Sequence, residues 1–163
     1  MENIEEKLME LKKKLIEFEE NKKYFKQFNI FETLKITNAE IRHSNIFAWL
    51  LNPQGSHGLK TKFLKRFIED INKSSNNPIE FSSKAYQSFK IRREWNFIDL
   101  TLIHKEMQSI IIIENKIWSN ESDHQLESYQ KIIEANYPNY IKKYVYLTPF
   151  GEKPSNHEIW QTY

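Results

Sequence analysis

Cysteine is absent from the 163 residues. Disulfide scaffolds, thiolate nucleophiles and cysteine-ligated zinc go with it, so any metal must be held by oxygen or histidine. Long apolar runs are missing too. No stretch approaches the roughly 18 residues of a membrane span, and the first 15 residues form a charged amphipathic pattern rather than a signal peptide. A cytoplasmic location is the expectation. Charge of one sign is scarce: 24 Lys plus Arg face 22 Asp plus Glu, a net +2 that permits nucleic-acid binding without arguing for it. What is present is packing material. Eleven Phe, 8 Tyr and 4 Trp within a 39% hydrophobic composition exclude a disordered tail, and the length suits one domain with a continuous core.

Residues 3 to about 27 place Ile4, Leu8, Leu11, Leu15 and Phe18 at alternating steps of four and three, one stripe on a long helix. The stripe is also heptad-like, which leaves a partner helix in a homodimer or hetero-complex as a second use for it. In TNAEIRHSNIFAWLLNP, Thr37 and Glu40 have capping-box spacing, and Pro53 stops the helix. A third helix is predicted from about Leu59 to Ile71, followed by NKSSNNP as a surface loop. From about Ala85 the period changes to two. Trp95, Phe97, Asp99 and Thr101 alternate with Asn96, Ile98, Leu100 and Leu102, HKEMQ reads as a turn, and Ile110–Ile113 reads as a central strand covered on both faces. A helix from Ser122 to about Asn136 and a strand from Tyr144 to Leu147 complete an α/β pattern. It predicts a mixed central sheet of about four strands flanked by helices.

Two acidic residues stand in these apolar strands. Asp99 sits in one arm of the predicted hairpin, and Glu114 ends the other with Lys116 two residues on, on the same strand face. Paired carboxylates repel unless something positive neutralises them. A magnesium or manganese ion held by hard oxygen ligands does so, and could polarise a phosphodiester and activate water. The other reading is a salt-bridged rim where the sheet meets solvent.

The order Asp99, then Glu114-Asn115-Lys116, resembles the signature of the PD-(D/E)XK nuclease superfamily. The stretch EIRHSNIFAWLLNPQGSHG (40–58) resembles the Glu-x-x-His-Ser helix motif of an uncharacterised bacterial branch, and QLESY (125–129) resembles the Gln-x-x-x-Tyr motif of RecB-like branches. The likeness spans roughly residues 37 to 150. Ile98 replaces the proline expected before the aspartate, while every charged position is filled. The resemblance implies a restriction-endonuclease-like core over 1–163, with 1–30 as an N-terminal helical extension. It implies Asp99 and Glu114 as ligands of Mg²⁺, or of Mn²⁺ in its place, with the Asn115 carbonyl and Glu40 completing the site. Lys116 becomes the catalytic lysine, with Gln125 and Tyr129 bordering the active site. Glu94, five residues before Asp99, falls on the opposite side of an unbulged strand. His43 and His57 have no zinc spacing; each is either a phosphate contact or an ordinary helix-surface or turn residue.

The resulting expectation is a Mg²⁺-dependent deoxyribonuclease acting in defence or restriction, with Lys60, Lys62, Arg92 and Arg93 as phosphate contacts. Two rivals stand beside it: a non-catalytic nucleic-acid-binding or assembly protein that keeps the fold, and a nuclease for RNA or branched DNA. No helix-turn-helix or zinc finger accompanies the core, so cleavage at a defined sequence by this chain alone is not expected. The chain stops soon after its last predicted strand, which suggests a shortened or minimal member.

Overall fold

The computed structural model describes residues 7, 9–14, 16–17, 29–73, 75, 77–117 and 124–163. The chain divides into two compact units, residues 1–37 and 38–163. In the first, residues 7, 9–14 and 16–17 are helical, with a Lys14–Glu10 ion pair one turn apart at 2.7 Å. A helical turn at Ile30–Thr33 follows, capped by the Asn29 side chain, which accepts from the backbone N–H of Phe31 and Glu32. Most of the predicted long helix over 3–27 falls outside the described residues, and no long continuous helix is evident among those described. Of its stripe only Leu11 is described, and it is exposed.

The second unit is a five-stranded mixed sheet with helices on both faces. Strands β1 (Lys90–Trp95), β2 (Ile98–His104), β3 (Ser109–Asn115), β4 (Ile141–Leu147) and β5 (Trp160–Thr162) lie in sequence order. The first three form an antiparallel meander, and β4 and β5 add in parallel. A parallel neighbour requires a crossover, supplied here by the helix Gln125–Asn136 between β3 and β4. Helices α1 (Glu40–Leu51) and α2 (Lys62–Lys73) contribute Ala48, Leu51, Leu64, Phe67 and Ile68 to a cluster with Leu100, Leu102, Ile111 and Ile113. The crossover helix, α3, sets Leu126, Tyr129 and Ile133 against Ile110, Ile112, Tyr144 and Trp160 on the other face. The isoleucine run therefore splits by strand alternation between two cores, and all four side chains are fully buried.

Three expectations are corrected. The sheet has five strands; β5 is three residues long, too short to show a period. The stretch Trp95–Leu102 is not one strand: it folds back at Asn96–Phe97, pairing Trp95 with Ile98. And Thr37 with Glu40 does not make a capping box, because the helix N-cap is Ala39 with no side-chain cap bond, and Glu40 is used elsewhere. Among the described residues no helix is long and apolar enough to cross a membrane.

Candidate active site

The second hairpin brings Asp99 and Glu114 together as its spacing predicts. Leu100 pairs with Ile113, and Asp99 and Glu114 are the next residues outward on the two strands. The backbone ladder gives way there to side-chain bonding: the Asp99 carboxylate Oδ2 accepts the Asn115 N–H at 2.8 Å. An irregularity on the other side of β2 allows this. Ile98 packs with the α3 cluster but Leu100 with the opposite one, so regular alternation fails at Asp99. Glu94 lies opposite Asp99 in the β1–β2 register, between the pairs Arg93–Leu100 and Trp95–Ile98, and has a positive φ of 51°.

That register corrects the sequence reading of Glu94. With the chain folded back at Asn96–Phe97, Glu94 faces Asp99 from the neighbouring strand and raises the Asp99 pKa. Its own carboxylate meets the Arg93 guanidinium at 3.4 Å.

Alternation along β3 sends Glu114 and Asn115 to opposite faces, and each finds a helix. The Asn115 side-chain amide donates to Ser44 Oγ on α1 at 3.2 Å, with Ser44 fully buried. On the other face, Glu114 Oε1 accepts from Gln125 Nε2 on α3 at 2.9 Å and pairs with Lys116 Nζ at 3.1 Å. Gln125 and Tyr129, one turn apart, are joined at 2.7 Å, and the Tyr129 hydroxyl donates to the Phe97 carbonyl at 2.8 Å. Burial pushes the Tyr129 phenol up to about 12, so it keeps the proton that this bond requires. The Lys116 N–H donates to the Leu147 carbonyl at the end of β4, and Glu40 Oε1 accepts the Ile117 N–H at 2.8 Å. Lys116 is thus held between a β4 carbonyl and a carboxylate from α1.

The electrostatics of this cluster favour a cation. Glu114 is 2% exposed, yet both of its polar contacts fall on Oε1, and Oε2 is buried with no hydrogen-bond partner. Desolvation pushes Glu114 up to about 8, the nearby Asp99 adds to the rise, and Lys116 opposes it. Desolvation likewise raises Asp99 to about 6, against the lowering effect of the Asn115 N–H; Glu94 raises it, Lys116 lowers it and Glu40 raises it. Among the described residues no group of three or more histidine, aspartate or glutamate side chains is gathered closely enough to hold a metal ion by itself. A buried carboxylate with an unpartnered oxygen beside a half-buried one nevertheless fits a hard divalent cation that takes its remaining oxygens from backbone, water and substrate.

His57 holds a turn: its Nε2 bonds the Asn52 carbonyl at 2.9 Å, its Nδ1 accepts the Leu59 N–H at 2.9 Å, and its ring meets Trp49 edge-on. Gly55 is required beside it, since a Cβ there would come within 2.7 Å of that ring. His43 is half-buried on α1, three residues after Glu40. Lys60 and Lys62 are exposed just before and at the start of α2. Arg92 pairs with Thr101 and Arg93 with Leu100, so strand alternation turns the two to opposite faces of the sheet.

Sequence reasoning missed Ser44 as the anchor of Asn115, although it follows the histidine of the helix motif. It missed the Leu147 carbonyl entirely, since a backbone partner leaves no trace in residue identity.

A family model described as the PD-(D/E)XK nuclease superfamily matches residues 28–161. No curated protein and no solved structure matches the chain. The family match covers most of the 163 residues, and the chain belongs to that superfamily.

Proposed function

We propose that this member of the PD-(D/E)XK nuclease superfamily is a metal-dependent deoxyribonuclease that hydrolyses phosphodiester bonds at the junction of β2, β3 and α3. One observation carries the reading: a carboxylate buried to 2% exposure keeps one oxygen without a partner while a second carboxylate lies opposite it. A fold that needed only stability would fill this place with an apolar side chain, because a buried polar oxygen without a hydrogen-bond partner costs free energy.

Asp99 and Glu114 would hold a Mg²⁺ or Mn²⁺ ion, with the Asn115 carbonyl and Glu40 as further oxygen donors. When bound, the ion supplies charge neutralisation at the scissile phosphate and lowers the pKa of water. The Lys116 ammonium, held next to Glu114, orients the attacking water and offsets negative charge developing on the phosphoryl oxygens. Gln125 donates to Glu114 and keeps its carboxylate from rotating, and Tyr129 ties Gln125 to the hairpin. Glu40 fixes the backbone just after Lys116. Arg92, turned to the α3 face, is the phosphate contact best placed to act with this cluster, and Lys60, Lys62 and Arg93 extend the basic surface.

The test is cleavage of linear, circular and single-stranded DNA by the purified protein in Mg²⁺, Mn²⁺ or EDTA, with an RNA strand of the same sequence alongside. Cutting of DNA that needs the metal and disappears in Asp99→Ala and Lys116→Ala is the expected result. Cutting that persists in both variants would place the chemistry elsewhere.

A further inference from the structure

The hairpin that delivers Asp99 ends in a turn whose residues run against its geometry. Asn96 and Phe97 are the two-residue connection between Trp95 and Ile98, with φ of 52° and 67°. A two-residue turn with both central residues left-handed favours asparagine at the first place and glycine at the second, since glycine has no Cβ to clash. Phenylalanine at the second place is strained. Three of the non-glycine residues with positive φ, Glu94, Asn96 and Phe97, fall within four positions of one another beside Asp99.

The strain gains no burial. Phe97 is 85% exposed, and its ring belongs to neither core cluster. Two residues earlier Trp95 packs edge-on against Tyr137, so an aromatic side chain on this hairpin has core to reach, and Phe97 does not reach it. The backbone under the ring is nevertheless fixed. Tyr129 bonds the Phe97 carbonyl at 2.8 Å, and through Gln125 the same chain of bonds ends on Glu114. An exposed apolar ring is therefore held two residues from Asp99 by the side chains that hold Glu114.

We propose that Phe97 is a stacking platform for an unpaired base of the DNA strand whose phosphodiester lies at Asp99 and Glu114. Every base presents a π face, so an exposed ring accepts any sequence; in a closed duplex both faces of each base are already covered. The protein accordingly selects single strands, overhangs and frayed ends over blunt duplex. This rests on the nuclease reading and narrows its substrate.

Wild type, Phe97→Ala and Phe97→Trp are compared by fluorescence anisotropy with a single-stranded DNA oligonucleotide carrying 2-aminopurine and with a blunt hairpin duplex. Measurements are made in EDTA and in Mg²⁺. The expected result is an affinity for the single strand roughly five- to a hundredfold weaker in Phe97→Ala, with loss of 2-aminopurine quenching, recovery of both in Phe97→Trp and no change for the duplex. Equal single-strand binding by wild type and Phe97→Ala, equal losses on single strand and duplex, or no binding by wild type in either condition would each overturn the proposal. Mg²⁺-dependent cutting by wild type is scored separately. Cutting that survives with unchanged strand preference in Phe97→Ala refutes stacking alone, whereas stacking without any cutting refutes the nuclease reading alone.

Discussion

The two halves of β3 have nearly the same burial and opposite chemistry. Ile110 to Ile113 are fully buried and divide between two apolar cores; Glu114 and Asn115, next along the strand, are 2% and 6% exposed and hydrogen-bond to polar side chains of two helices. Burial alone cannot explain both. The isoleucines stabilise the fold through removed apolar surface, about 25 cal/mol for each Å². Glu114 is a buried acid that resists ionisation, so its half of the strand costs stability instead of adding it. The difference separates scaffold from site at the level of one peptide bond.

The contrast is broken most forcefully at Lys116. Lys116→Ala removes a positioned ammonium, so cleavage measured well below the melting point falls by about two to four orders of magnitude, while Tm falls only as far as the loss of the Glu114 partner requires. A fall in Tm with intact cleavage would make Lys116 part of the scaffold. Ile112→Ala should do the reverse. Emptying a fully buried site costs roughly 2–5 kcal/mol in denaturant unfolding, while cleavage measured well below the melting point stays close to wild type.

The proton balance sharpens the same comparison. Folding raises Asp99 to about 6 and Glu114 to about 8, so the folded state holds protons more tightly than the unfolded chain. Their contribution to stability is full below the unfolded carboxylate range, near pH 4, and is lost as pH rises through 6 and then 8. In EDTA the wild-type Tm should fall across that window, by an amount on the order of a few kcal/mol of stability, and Glu114→Gln should flatten the fall. An identical pH profile for the two proteins would remove Glu114 as the source. The smallest effect is expected at Ser44. Ser44→Ala leaves the Asn115 side-chain amide without its acceptor and costs about 1–3 kcal/mol in denaturant unfolding.

The apolar half of this contrast was the easier to read from sequence. The isoleucine run identifies a doubly covered strand, the HKEMQ turn gives the β2–β3 hairpin, and the spacing of Asp99, Glu114 and Lys116 brings the three together. Three features were not legible for physical reasons. The Asn96–Phe97 turn carries phenylalanine where glycine would have marked it, so alternation ran on through the bend and put Glu94 on the wrong side. The Thr37/Glu40 spacing matched a cap, but the helix starts after Ala39 and the Glu40 carboxylate accepts the Ile117 N–H across the domain. β5 is too short to have a period, and its place depends on Trp160 packing against Tyr144.

The central claim is that the polar end of β3 exists to hold a divalent cation, and calorimetric titration of Mn²⁺ into the metal-free protein at pH 7, in buffers of different ionisation enthalpy, tests it most directly. With Glu114 near pKa 8, binding should release about one proton, seen as a buffer-dependent heat, and both binding and release should disappear in Glu114→Gln. Binding of equal strength in wild type and Glu114→Gln, or no binding by wild type, would contradict it.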